Sequence, residues 1–155
     1  MTLSSFLPML AMGISVIVAI VGHEVMHGRA AYKYGDETAK IAGRLSFNPL
    51  VHVDLVVTIL VPILMYMSTG FIFGWAKPVP VYMRTVIRNG GWLGAIHVSL
   101  AGIIYNFSLA IIATLLLQVL NEPTSLLEAF FKALLIYTVM INVILGIFNL
   151  YPIPP

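Results

Sequence analysis

Residues 6–21 carry no charged side chain, and this apolar run passes without a turn signal into Gly22-His23-Glu24-Val25-Met26-His27. Such a run is stable as a helix buried in lipid or protein, yet its last turns must then accommodate three ionisable groups. At membrane depth each of these costs roughly 2.5–3.5 kcal/mol on insertion scales, so their presence asks for a chemical reason. On a helix His23 and His27 project from one face, one turn apart, where both imidazoles can reach a single metal ion. Glu24 lies about 100° round from His23, beside such an ion rather than on it. His-Glu-x-x-His on a helix is the arrangement of two zinc ligands and the general base of a metallopeptidase. A hydrogen-bonded core histidine is the plainer alternative, and the uncharged surroundings weigh against it.

Charged residues make up only 9% of the chain and hydrophobic ones 60%. A soluble domain carries roughly 25% charged residues, so this composition belongs to an integral membrane protein, and the length suits one domain. The absence of cysteine excludes disulfides and thiolate metal sites, leaving His, carboxylate or water to hold zinc. Lys and Arg fall mostly in two loops, a pattern of membrane orientation rather than of nucleic-acid binding. The N-terminus has neither a basic leader region nor a small-residue cleavage site, so its apolar run reads as a retained span.

The first helix is expected from about Leu3 to Tyr34, with Gly35 as its C-cap. It overshoots the bilayer core, which puts the His-Glu-x-x-His turn near one end. A polar connector follows (36–54) with Arg44, Asn48-Pro49, His52 and Asp54, and residues 39–47 are read as a short strand or extended segment. Residues 55–75 are apolar but interrupted by Pro62 and Ser68-Thr69-Gly70. A second connector (76–91) holds Lys77, Pro78, Pro80, Arg84 and Arg88. Further apolar segments cover 94–120 and 126–150, separated by a tight turn at 121–125, and the sequence closes on Tyr151-Pro-Ile-Pro-Pro155.

Basic residues cluster in 29–44 and 77–88, whereas the 121–125 turn has Glu122 and no base. Positive-inside then sets both connectors on the cytoplasmic side and the turn outside, so that residues 55–75 enter and leave by the same face. The expected fold is therefore an all-α polytopic membrane protein: three core transmembrane helices, a re-entrant or broken hydrophobic hairpin, and a short extended segment after the first helix. This topology returns residues 149–155 to the end of the bundle that holds the histidines.

Five stretches, HEVMH, GRLSFNPLVHVD, FGWAKPVPV, SLAGIIYNF and NLYPIPP, resemble in order and spacing the bacterial site-2 protease family of intramembrane zinc metallopeptidases. The resemblance covers residues 21–155. It implies that His23 and His27 bind Zn2+, that Glu24 activates water, and that the protein sits in the bacterial inner membrane. There it would cut transmembrane segments of membrane-anchored protein substrates, as in regulated intramembrane proteolysis. Ile103 stands where the family usually has Pro, and Asn106 matches the family's Asn. In the family NLYPIPP is followed by Leu-Asp-Gly, whose Asp is the third zinc ligand. The resemblance thus describes 1–155 as a single metallopeptidase domain cut short before that motif, with Asp54 or His52 as other possible third ligands.

Asp54 also reads as an N-cap and His52 as a residue of the connector surface. Asn106 and Asn142 read as hydrogen-bonding glue between helices, and His97 as structural or interfacial. Asn149, in the closing motif, is the candidate to hold a substrate carbonyl, with Asn106 a second. The rival function is a membrane protein that binds or transports metal without hydrolysis. A carboxylate adjacent to the ligand face but off it favours the peptidase.

Overall fold

The computed structural model describes residues 3–53, 60–70 and 78–151. Its elements are α1 (Leu3–Lys33), α2 (Thr38–Ile41), a 3-10 turn (Pro49–His52), α3 (Val61–Thr69), α4 (Met83–Val119) and α5 (Leu126–Leu150). Among the described residues there is no strand. α1, α4 and α5 are each long and apolar enough to cross a membrane, and the chain is a membrane protein.

α1 ends as its sequence dictates. Gly35 takes the left-handed conformation at φ 82, its N–H donates to Tyr32 O at 2.9 Å, and Asp36 N–H donates to Ala31 O at 3.1 Å. These two bonds close a Schellman motif around the last turn of the helix. The Asp36 carboxylate then accepts from the Thr38 N–H and hydroxyl and, at 2.6 Å, from Tyr82 N–H just ahead of α4. Asp36 therefore pins the start of the first connector to the end of the second.

That tie corrects one expectation and supports another. Because Thr38 bonds to Asp36, the chain turns into α2 instead of extending, so the first part of the 39–47 segment is a helical turn with Ala39 buried against α1. Residues 44–52 form a loop closed on itself. Arg44 Nη1 donates to Val51 O, Asn48 Oδ1 accepts from Leu50 N–H at 3.0 Å to open the 3-10 turn, and His52 Nε2 meets Ser46 O at 2.8 Å. His52 is thus buried within this loop, not on its surface.

Since residues 36 and 82 lie side by side, everything between them leaves and returns at one end of the bundle. α3, nine residues and about 13.5 Å long, is too short to cross. The remainder of the expected 55–75 hairpin, Asp54 and Lys77 lie outside the described residues, as do Pro152 to Pro155.

Paired contacts fix the helix directions. Going up α1, Val18 O, His23 and His27 meet Tyr105, Asn106 and Val98 respectively, so α4 descends beside it. Ser15 meets Leu134 and Thr138 while Asn142 lies level with Ala19 through Asn106, so α5 ascends again. α4 is interrupted at Gly91, whose φ 61 and ψ −161 separate a first short helix from the span proper. α5 starts on Ser125, whose hydroxyl accepts from Glu128 N–H at 3.2 Å, the cap expected at the 121–125 turn.

Glycines let the spans close. A Cβ on Gly22 would lie 2.1 Å from the Tyr105 ring, and one on Gly146 would lie 2.8 Å from Phe107. Small residues at such positions bring helix backbones within reach of interhelical hydrogen bonds.

Candidate metal centre

His23 and His27 sit on the face of α1 that packs against α4. Both lie on α1, one turn apart, with ring centroids separated by 4.6 Å. A Cβ on Gly102 of α4 would fall 2.6 Å from His27 Nε2 and 2.7 Å from His23 Cδ2, so the bare backbone of Gly102 forms the wall facing both rings.

The tautomers follow from the partners. Asn106 Nδ2 faces two oxygens, Asn142 Oδ1 at 2.7 Å and Ala19 O at 3.3 Å, which orients its amide and leaves Oδ1 as the acceptor toward His23. His23 Nδ1 at 2.5 Å must therefore donate to it. His27 Nδ1 lies 2.7 Å from Val98 O, a group that can only accept, so it donates as well. Both neutral rings consequently present Nε2 as a bare lone pair, and these two nitrogens face each other at 2.9 Å.

Two lone pairs at that distance repel unless a cation lies with them, and only a proton or a metal ion satisfies both. Two nitrogens each about 2.05 Å from a tetrahedral metal lie about 3.3 Å apart, so parting the rings by about 0.4 Å admits an ion. A metal-bound histidine that donates its other N–H to a carbonyl or amide oxygen is the usual outer-shell arrangement, and both rings here have it.

Glu24 points elsewhere, as its angular position requires. Its Oε2 accepts from Val79 N–H at 2.7 Å, which anchors the carboxylate on the second connector within the FGWAKPVPV stretch and leaves Oε1 available. Gly28 lets this connector approach, since a Cβ there would lie 2.8 Å from Val79 Cγ1. Among the described residues no group of three or more His, Cys, Asp or Glu side chains converges, so the centre comprises His23 and His27 with Glu24 beside them.

The other residues named from sequence fall in three places. Asn106 is wholly buried behind His23, its amide shared among three partners. Asn142, also wholly buried, passes the chain on to Thr138 O at 2.8 Å. Asn149 is exposed near the end of α5 and donates to Leu145 O at 2.8 Å. It lies seven residues, about 10.5 Å, beyond Asn142 toward the end of the bundle that holds His27. His97 is bound to the Tyr34 hydroxyl at 3.0 Å through Nδ1 and takes no part in the histidine pair.

Sequence reasoning did not reach Val98 O, Gly102 or Val79 N–H. Two of these are backbone groups and one is a residue without a side chain. The available signal was the run of small residues in SLAGIIYNF opposite a histidine helix.

No family model and no solved structure matches the chain. It is 38% identical, over 146 residues, to the Bacillus subtilis (strain 168) protein named “Putative zinc metalloprotease YwhC”. The match covers 92% of this chain and 63% of that relative, so the chain spans somewhat less than two thirds of the length of the protein it resembles.

Proposed function

We propose that this chain forms the membrane-embedded core of a zinc metallopeptidase of the site-2 protease type. Its substrates are membrane-anchored proteins cut in or near their transmembrane segments, and its location is a bacterial inner membrane. The observation that carries the reading is the facing pair of Nε2 lone pairs, each aligned by an Nδ1–H bonded to oxygen. The name of the Bacillus subtilis relative supports the same chemistry.

In this reading His23 and His27 hold the ion through Nε2. Zinc bound there supplies Lewis acidity toward a carbonyl oxygen and acidifies water to a pKa of about 7. Asn106 and Val98 O keep both rings in the ligating tautomer. Glu24, anchored through Oε2 on Val79 N–H, takes a proton from attacking water and returns it to the leaving amine. Gly102, lacking a side chain, lets α4 pack against the two imidazoles without displacing either ring. The third ligand comes from outside the described residues, and Asp54 is one candidate there. His52 does not join the pair: among the described residues no third His or carboxylate converges with His23 and His27.

Zinc content of the detergent-purified chain tests the proposal. About one zinc per chain is expected, with none in the His23→Ala/His27→Ala variant. Glu24→Gln should keep the metal while lowering cleavage of a membrane-anchored substrate by about 10²–10⁴-fold. Unchanged zinc in the double variant, or full cleavage by Glu24→Gln, would refute it.

A further inference from the structure

A groove of about 390 Å³ runs between α1 and α4. Its lining is graded along its length. Arg29 and Lys33 of α1 and His97 of α4 line one end, while Met26, Ala101 and Ile104 line the other. Met26 to Lys33 is seven residues, so the gradient extends about 10.5 Å along the helix axis. The charged end lies at the C-terminal turn of α1, where the span meets the basic face, and the apolar end lies deeper along the span.

Two features separate this groove from an ordinary ring of basic residues. Among the described residues no carboxylate pairs with Arg29 or Lys33, and none lines the groove. Arg29 is nevertheless held in place, its guanidinium 4.8 Å from the centroid of the Phe47 ring. On the opposite wall the Tyr34 hydroxyl engages His97 Nδ1, and Nε2 has no partner among the described residues. Tyr34 is itself wedged against α4, since a Cβ on Gly90 would lie 2.4 Å from its ring. One held guanidinium, an exposed ammonium and an imidazole therefore line the same groove above an apolar trough.

We infer that this groove binds an anionic glycerophospholipid, its phosphate between Arg29, Lys33 and His97 and one acyl chain against Met26, Ala101 and Ile104. A basic pocket between transmembrane helices on the cytoplasmic side suits such a headgroup, and each basic residue near the surface adds about a factor of five in affinity. The trough supplies what a soluble phosphate cannot use. The inference is independent of the histidine pair and stands whether or not the chain is a peptidase.

The test is native mass spectrometry of the full chain in neutral detergent. It is titrated with dioleoylphosphatidylglycerol or dioleoylphosphatidylcholine, with sn-glycerol 3-phosphate as the headgroup alone. Phosphatidylglycerol adducts are expected at a lipid concentration at least tenfold lower than phosphatidylcholine adducts. Arg29→Gln/Lys33→Gln should erase the preference, whereas Arg84→Gln/Arg88→Gln, which removes the same charge from the second connector, should retain it. Ile104→Gln keeps every charge at a position 54% exposed and should weaken phosphatidylglycerol binding several-fold. It decides the matter if the first pair of substitutions does not fold. No preference in the native chain, equal loss in the two arginine-containing variants, unchanged binding by Ile104→Gln, or displacement of the lipid by equimolar glycerol phosphate would each overturn the inference.

Discussion

Replacing Asn106 separates what holds the bundle together from what aligns the two imidazoles proposed as metal ligands. In Asn106→Leu the branching at Cγ and the number of heavy atoms are kept, but His23 Nδ1–H and Asn142 Oδ1 both lose their partner. A buried unsatisfied group costs about 1–3 kcal/mol in a soluble core, whereas interhelical hydrogen bonds in a membrane protein average about 0.6 and reach about 1.7 kcal/mol. The membrane scale governs here, because lipid-embedded helices separate into an environment where these groups also find partners. The expected destabilisation is therefore about 1–3 kcal/mol for the two bonds together. Zinc binding should suffer separately: loss of an outer-shell partner costs about 10–100-fold in affinity, or about 1.4–2.7 kcal/mol. Asn106→Asp supplies the control, since it keeps the Oδ1 acceptor for His23 and loses the Nδ2 donor to Asn142. It should be destabilised yet bind zinc as well as the native chain or better. The assay is chelator competition for zinc alongside thermal unfolding in the same detergent. Zinc affinity of Asn106→Leu within threefold of native would refute the tautomer argument. Parallel losses in Leu and Asp variants would mean that Asn106 acts only through packing.

Gly102→Ala places a methyl group 2.6 Å from His27 Nε2 and should abolish measurable zinc binding at a stability cost of about 1–3 kcal/mol. Gly146→Ala, which strikes Phe107 instead, should cost similar stability and leave zinc bound. Burial pushes the Asp36 carboxyl up, but hydrogen bonds from the Thr38 hydroxyl, Thr38 N–H and Tyr82 N–H outweigh it and hold the group below the usual carboxylate range. Its contribution is therefore fully present above the unfolded pKa of about 3.9 and is lost as pH falls through the lower folded value. Asp36→Asn should flatten that acid limb in thermal unfolding scans and cost about 1.5–3 kcal/mol at neutral pH. Single cysteines at Lys40 and Arg84, in a chain with none of its own, should react with an impermeant maleimide from the same side of the membrane, and labelling from opposite sides would contradict the tie between Asp36 and Tyr82.

The parts legible in the sequence were those governed by local periodicity. His23 and His27 share a helix face because of their spacing, Gly35 ends α1 because a left-handed residue is cheapest there, and Ser125 caps α5 because its hydroxyl reaches an orphan N–H. That the two connectors meet at one end of the bundle was legible from charge, because lysine and arginine cluster in both of them and not in the 121–125 turn. The 39–47 segment was misread because β-compatible residues there carry little information against one side chain. Asp36 offers Thr38 two hydrogen bonds, and a single satisfied turn outweighs weak propensity. His52 was misread for a related reason, since its burial depends on a loop closing through backbone carbonyls that no side-chain pattern reveals.

What lay beyond reach was register. The partners of His23 and His27 are 83 and 71 residues away in sequence, and nothing in α1 alone says which turn of α4 will meet it. The structure answers with a polar ladder through the bundle. Ser15 bonds to Thr138 and Leu134, Asn142 to Thr138 and Asn106, and Asn106 to Ala19 and His23. Apolar faces in lipid tolerate sliding, because one leucine packs much like the next, whereas a polar rung has a partner at only one offset. Moving α4 by one residue rotates it by about 100° and turns Asn106 away from His23, and it also replaces Gly102 by a side chain against the imidazoles. The residues that fix how α1, α4 and α5 fit together are thus the ones that set the tautomer of His23, so a bundle assembled in any other register would have no paired lone pairs to offer a metal.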